Sequence, residues 1–214
     1  AGEPLRLACT GEAAHNTAML DFISDSGRIA RARWVPSPNC DERPATTNPS
    51  MLVLHCISLP PGRFGGGEIE ALFCNRLDCR AHPYFDQLQD LKVSSHFLID
   101  REGELVQFVD CDQRAWHAGR SSYCGRANCN DVSIGIELEG TETGRYEEVQ
   151  YAMLAALIPV LRVRYPALAQ GPIVAHSDIA PGRKTDPGPA FDWTGLHRRL
   201  RDRHPIAQVE GSPP

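Results

Sequence analysis

The order of apolar runs along the chain predicts an α/β fold, a central mixed β-sheet flanked by helices. Three observations carry this. Residues 51–57 form a near-continuous apolar run interrupted by His55, which suits a buried strand. Ile134, Ile136 and Leu138 alternate with Gly135, Glu137 and Glu139, the two-residue period of a strand with one apolar and one polar face. Between residues 147 and 165, Val149, Met153, Leu157, Leu161 and Tyr165 recur at every fourth position, and Leu154 and Ile158 widen them into a helix face. A short apolar strand follows at 173–176. Strands, then a long helix, then a strand imply helices laid on a mixed sheet.

The other elements follow in order. Residues 1–16 lack periodicity and read as an arm, ahead of a single domain over 17–204 and a tail over 205–214. Residues 18–33 have helical spacing that Gly27 interrupts, so one or two short turns are expected. Pro36, Pro38, Pro44 and Pro49 mark a connection without regular structure. LPPGRFGGG, residues 59–67, is turn material, and 68–73 fits a short helix. Residues 93–109 read as two strands joined at Arg101-Glu102-Gly103 in an antiparallel hairpin. Pro159 falls inside the long helix and predicts a kink or a looser turn. Residues 177–190 read as a loop rich in Pro and Gly, and 193–203 as a terminal helix.

Composition excludes several classes. The 214 residues are 42% hydrophobic and 23% charged, enough for a core and incompatible with wholesale disorder. A formal charge of −5 and 7% aromatic residues argue against a nucleic-acid partner, which needs clustered basic and stacking side chains. No stretch reaches the ~18 apolar residues of a membrane-spanning helix. The N-terminus has no basic stretch followed by an apolar one, so no signal peptide is visible, though a removed one would leave no trace. Eight cysteines admit disulfides, but a chain of this size does not need them, and reduced thiols are expected. The four-residue gaps in Cys74/Cys79 and Cys124/Cys129 do not suit a zinc knuckle.

Among eight histidines, His55 and His176 stand out because each ends an apolar strand run, where a polar ring needs a partner. Asp186 and Lys184 lie on the constrained loop after His176. Two imidazoles and one carboxylate form a sound zinc ligand set that leaves a fourth position open. Spacing alone leaves Asp186 equally readable as a loop carboxylate that caps backbone amides. Glu137 could face solvent, or line a cleft and shuttle a proton. Lys184 could stabilise an oxyanion. Trp116 and His117 sit in a loop-like stretch that could line a pocket and touch substrate. Cys56 reads as packing.

The segments LVLHCISLPPGRFGG, KVSSHFLIDREGELVQFV, RAWHAGRSSY, CNDVSIGIELEGT and AHSDIAPGRKTDPGPAFDW, in that order, resemble the AmpD-type family of zinc N-acetylmuramoyl-L-alanine amidases. The likeness runs from about Arg33 to Trp193. It implies the mixed-sheet fold shared with T7-lysozyme-type amidases and peptidoglycan recognition proteins. It also implies one zinc per chain held by His55, His176 and Asp186, with Glu137 catalytic and Lys184 at the oxyanion. The implied activity is cleavage between (1,6-anhydro-)N-acetylmuramic acid and L-alanine of muropeptides in peptidoglycan recycling, by a cytoplasmic monomer with no nucleic-acid or membrane partner. A broad-specificity cell-wall amidase and a non-catalytic peptidoglycan-binding module are the alternatives. Cys56 departs from an Asn common in the family, and Asn128 from an Arg of close relatives. Cys74, Cys79, Cys111 and Cys124 lie outside the family pattern.

Overall fold

A computed structural model describes residues 20–23 and 25–202; the expected arm over 1–16 and tail over 205–214 lie outside them. The strands are β1 (Arg33–Trp34), β2 (Cys40–Glu42), β3 (Met51–Ile57), β4 (Phe97–Ile99), β5 (Leu105–Gln107), β6 (Gln113–Ala115), β7 (Ser122–Tyr123), β8 (Arg126–Ala127), β9 (Ser133–Glu139) and β10 (Ile173–Ala175). The helices are α1 (Glu68–Phe73), α2 (Glu148–Arg164), α3 (Pro166–Ala169), α4 (His176–Ile179) and α5 (Trp193–Asp202). Among the described residues the main sheet has the order β1-β5-β4-β9-β3-β10. β4, β9, β3 and β10 run parallel, whereas β5 is antiparallel to β4. The expected mixed sheet is therefore present, with the 93–109 hairpin as its antiparallel part.

One face of the sheet is closed by α2 and α5. Leu154, Leu157, Ile158 and Leu161 of α2, with Leu196 and Leu200 of α5, pack on Leu52, Leu54, Ile134, Ile136 and Leu138. Burying each such side chain contributes roughly 1.5–3 kcal/mol. Gln150 stitches α2 to the sheet by donating to the carbonyls of Ile99 and Glu139, at 3.1 and 3.0 Å. The helix continues through Pro159 as far as Arg164.

The opposite face is covered piecemeal. Ile69, Leu72 and Phe73 of α1 pack with Leu98, Val106 and Phe108 in one cluster. Met51 and Val53 pack with Val132, Val174 and Ile179 in another. Polar side chains occupy the ground between these clusters.

Of the two settings open to the polar face of 133–139, solvent or a cleft, the structure has the buried one: all seven residues are buried, because β9 lies between β4 and β3 with both faces covered. Three expectations need correction. Residues 20–33 form an antiparallel turn rather than helical turns, with Phe22 bridging Ile29. There the Gly27 amide is held by the Asp110 carboxylate at 3.0 and 3.2 Å, and the Ile29 amide by Gln107. The proline-rich connection contains β2, which pairs with β6 between Pro38 and Pro44. The last strand stops at Ala175, because the Asp178 carboxylate accepts the Ala175 amide at 2.8 Å and starts α4 at His176. The seven cysteines among the described residues are free thiols.

His96 marks the cost of the polar face. Its Nδ1 accepts the Gly135 amide at 3.0 Å, and its Nε2 lies 3.1 Å from the Gln113 carbonyl oxygen. Burial, with the Arg43 guanidinium nearby, pushes the ring down to about 3. An unfolded histidine takes its proton near pH 6.5. Between those values the unfolded chain binds more protons, so stability falls as pH drops through the window. This ring alone should cost about 2 kcal/mol between about pH 7 and pH 5. Urea unfolding at both values should show a smaller drop for His96→Gln than for wild type. Identical pH dependence in the two proteins would contradict this account.

Candidate metal centre

The register of three strands builds the site. His55 on β3 lies opposite Glu137 on β9, so both side chains leave the same face of the sheet. β10 pairs with the other edge of β3, Ala175 opposite Leu54, and delivers His176 immediately afterwards. Asp186 arrives on the loop that follows α4. Three bonds hold that loop: the Ser177 amide donates to the Asp186 carbonyl at 3.1 Å, the Tyr146 hydroxyl to the Pro187 carbonyl at 2.7 Å, and the Thr185 hydroxyl to the Glu142 carboxylate at 2.7 Å.

His55 Nδ1, His176 Nδ1 and Asp186 Oδ2 form a triangle with sides of 2.9, 3.1 and 3.0 Å. All three residues are buried. Ligands ~2.0–2.1 Å from a tetrahedral zinc lie about 3.3 Å from one another, so the triangle has the size of one face of that tetrahedron. The chemistry of the donors agrees. His176 Nε2 lies 3.2 Å from the Ala118 carbonyl oxygen, which only accepts. The proton is therefore on Nε2, and Nδ1 turns a lone pair toward the Asp186 carboxylate. Electron-rich atoms gathered this closely in a buried spot fit a cation. Among the described residues no other group of three such side chains comes together.

The proton affinities point the same way. Burial outweighs the pull of Asp186 and pushes His55 down to about 4. Burial alone would raise Asp186, yet its close contacts with His176 and His55 hold it well below the usual carboxylate range. A neutral imidazole beside a charged carboxylate is the protonation state that a metal requires.

Glu137 sits beside the triangle, and its Oε2 is buried with no hydrogen-bond partner among the described residues. Burial raises its carboxyl well above the usual range, the Asp186 charge adds to this, and Lys184 opposes it. A cavity of about 840 Å³ opens here, with His55, Glu137, Trp116, Tyr84, Leu91 and Lys184 among its walls. Lys184 is exposed at the rim, and Trp116 is half-buried. The structure thus brings His55, His176, Asp186, Glu137, Lys184, Trp116 and His117 to one cavity. His117 is drawn in behind His55, with His55 Nε2 at 2.9 Å from its Nδ1. Cys56 both lines the cavity and packs on the main core, and burial pushes its thiol up to about 12. Glu139 is tied up differently, accepting the Gly65 amide at 2.6 Å.

Sequence reasoning missed Ser133, Asn130 and the Ala118 carbonyl. Ser133 Oγ lies 3.1 Å from His117 Nε2, and Asn130 Oδ1 accepts the amides of His117 and Ala118 at 3.2 and 2.8 Å. A buried serine on a strand and a loop asparagine carry no periodic or spacing signal. Gly135 was visible only as part of an alternation, yet a Cβ there would stand 2.5 Å from His117 Cγ. Gly135→Ala should therefore displace that ring and cost about 1–3 kcal/mol. Thermal unfolding checks the prediction, and an unshifted midpoint would show that the ring can move aside freely.

The family model for N-acetylmuramoyl-L-alanine amidase matches residues 45–189. The chain is 59% identical over 172 residues to the 1,6-anhydro-N-acetylmuramyl-L-alanine amidase AmpD of Citrobacter freundii, covering 80% of this chain and 91% of that protein. The crystal structure of a selenomethionine AmpD derivative matches with a TM-score of 0.81 at 56% identity, over 84% of this chain and 99% of that one. The Escherichia coli amidase AmiD, in complex with anhydro-N-acetylmuramic acid-L-Ala-D-γ-Glu-L-Lys, matches with a TM-score of 0.51 at 28% identity, over 75% of this chain and 65% of that one.

Proposed function

The chain belongs to the N-acetylmuramoyl-L-alanine amidase family, and from that premise we propose a zinc-dependent hydrolysis of the amide between 1,6-anhydro-N-acetylmuramic acid and L-alanine of muropeptides. The observation that carries the reading is the triangle of His55, His176 and Asp186 beside the unpartnered Glu137 Oε2. Relatives named for this cleavage and the AmiD complex with an anhydromuramyl peptide support the choice of substrate. The domain is taken as 17–204, acting as a monomer in the cytoplasm as part of peptidoglycan recycling. No helix among the described residues is long and apolar enough to cross a membrane.

His55, His176 and Asp186 would hold the zinc, which when bound would supply Lewis acidity to the scissile carbonyl. The remaining roles fall to this chain's own groups. Glu137 Oε2 takes a proton from the attacking water and returns it to the departing amine nitrogen, a task suited to a carboxyl whose proton affinity is raised. The Lys184 ammonium, exposed at the rim, meets the negative charge that grows on the carbonyl oxygen. Trp116 offers a flat wall to the substrate.

Metal analysis of the purified protein should return about one zinc per chain. Asp186→Ala should lose metal and activity together. Glu137→Ala should keep the metal while kcat falls by about two to four orders of magnitude. Lys184→Ala should also keep it and lose about two to three orders. Full zinc in Asp186→Ala, or wild-type turnover in Glu137→Ala, would reverse these roles. Chromatography of the products should show soluble anhydromuramyl tripeptide cut between sugar and L-alanine. Comparable turnover on intact sacculi would instead identify a cell-wall amidase.

A further inference from the structure

Behind the ligand triangle runs a chain of hydrogen bonds whose direction is fixed. Ser133 Oγ lies 2.6 Å from the Cys129 carbonyl oxygen and 3.1 Å from His117 Nε2. A carbonyl cannot donate, so the single hydroxyl proton points at Cys129. Toward His117 the serine oxygen can then only accept, which places the ring proton on His117 Nε2. A neutral imidazole carries one such proton, so His117 Nδ1 is bare. At 2.9 Å from His55 Nε2 it must accept from that nitrogen. His55 is thereby held with its proton on Nε2 and a lone pair on Nδ1, the atom of the triangle.

The same segment does this for the other imidazole. The Ala118 carbonyl takes the Nε2 proton of His176 at 3.2 Å. His117 and Ala118 are adjacent, and Asn130 Oδ1 grips both of their amides. Both ring nitrogens of His117 are occupied, so none is left for substrate, and the ring packs against Gly135.

We propose that His117 and Ser133 are positioning residues that set the tautomer of His55 and so the metal affinity of the site, in a bracket that Ala118 completes for His176. The proposal rests on the metal reading above. It assigns His117 to the ligand's outer nitrogen rather than to substrate contact. Groups that hydrogen-bond the outer nitrogen of a ligating imidazole fix its orientation, and their loss weakens metal binding by about 10–100-fold. Without the serine hydroxyl, the His117 proton is free to settle on Nδ1. It then faces His55 Nε2 and drives the His55 proton onto Nδ1, where it competes with the metal.

The test is the zinc dissociation constant of the full chain, measured by competition with a chromophoric chelator. Ser133→Ala removes one oxygen from a buried strand and should weaken zinc by about 10–100-fold. Ser133→Thr keeps the hydroxyl and should restore affinity to near wild type. His117→Phe, which keeps the ring volume and loses both nitrogens, should weaken zinc at least as much as Ser133→Ala. Urea unfolding of the metal-free proteins, run alongside, should place Ser133→Ala and Ser133→Thr close together, because packing is not what separates them. The absorption bands of the cobalt-substituted protein should shift in Ser133→Ala and not in Ser133→Thr. Wild-type zinc affinity in Ser133→Ala, while the wild-type protein binds zinc, would overturn this proposal alone. A wild-type protein that binds no zinc would overturn the metal reading and this proposal with it.

Discussion

The parallel ladder between β3 and β9 is the constraint on which the rest depends. Seven residues of one strand lie beside seven of the other, from Met51 opposite Ser133 to Ile57 opposite Glu139. That register puts an imidazole next to a carboxyl at the middle of a buried sheet. A slip of one residue would send His55 to the face covered by α2 and leave Glu137 beside an aliphatic neighbour. The hydrophobic pattern forbids the slip, because Leu52, Leu54, Ile134, Ile136 and Leu138 all need the α2 side. His55 and Glu137 are thus held in place by side chains on the reverse of the same strands.

The two faces of the sheet divide the labour. The α2 face is a continuous apolar cluster, and it supplies most of the burial that holds the fold together. The other face is split into two smaller clusters with His55, His96, His117 and Glu137 between them. A polar patch of that size is costly when dry. It is tolerated because nearly every nitrogen is matched: His96 to the Gly135 amide and the Gln113 carbonyl, His117 to His55 and Ser133, His176 to Ala118. Glu137 Oε2 has no such partner among the described residues, just as the bare Nδ1 atoms of His55 and His176 have no donor, and all three residues line the cavity.

Much of this was legible in the sequence, and what was legible has a physical character. β3, α2 and the β4–β5 hairpin announce themselves because burial imposes a period on apolar residues. His55 and His176 could be singled out as polar rings ending apolar runs, while Asp186, Glu137 and Lys184 gained their weight from the family resemblance. β2, β6, β7 and β8 were not legible, being two or three residues long and shaped by tertiary pairing. The turn at 20–33 was misread because apolar residues at 22, 23 and 29 fit a helix as well as a bridge. The setting of the polar half of β9 stayed open in the sequence because alternation cannot distinguish a solvated face from one that lines a site. Ser133, Asn130 and Ala118 act through a hydroxyl, an amide oxygen and a backbone carbonyl, and only three-dimensional neighbourhood gives these a meaning.

β10 is a three-residue strand at the margin of the sheet, paired on one side with β3. Short marginal strands open locally at a lower free energy than a central ladder. Such an opening carries away His176 and the loop bearing Asp186, yet leaves His55 and Glu137 in register on β3 and β9. The two halves of the site therefore belong to regions of unequal endurance, one anchored and one hinged. An ion that needs both halves binds the closed edge and not the frayed one, so its occupancy shifts the fraying equilibrium by mass action. In hydrogen exchange, the metal's protection would be concentrated in residues 173–186 rather than spread over the sheet, making the last strand both the doorway and the latch of the centre.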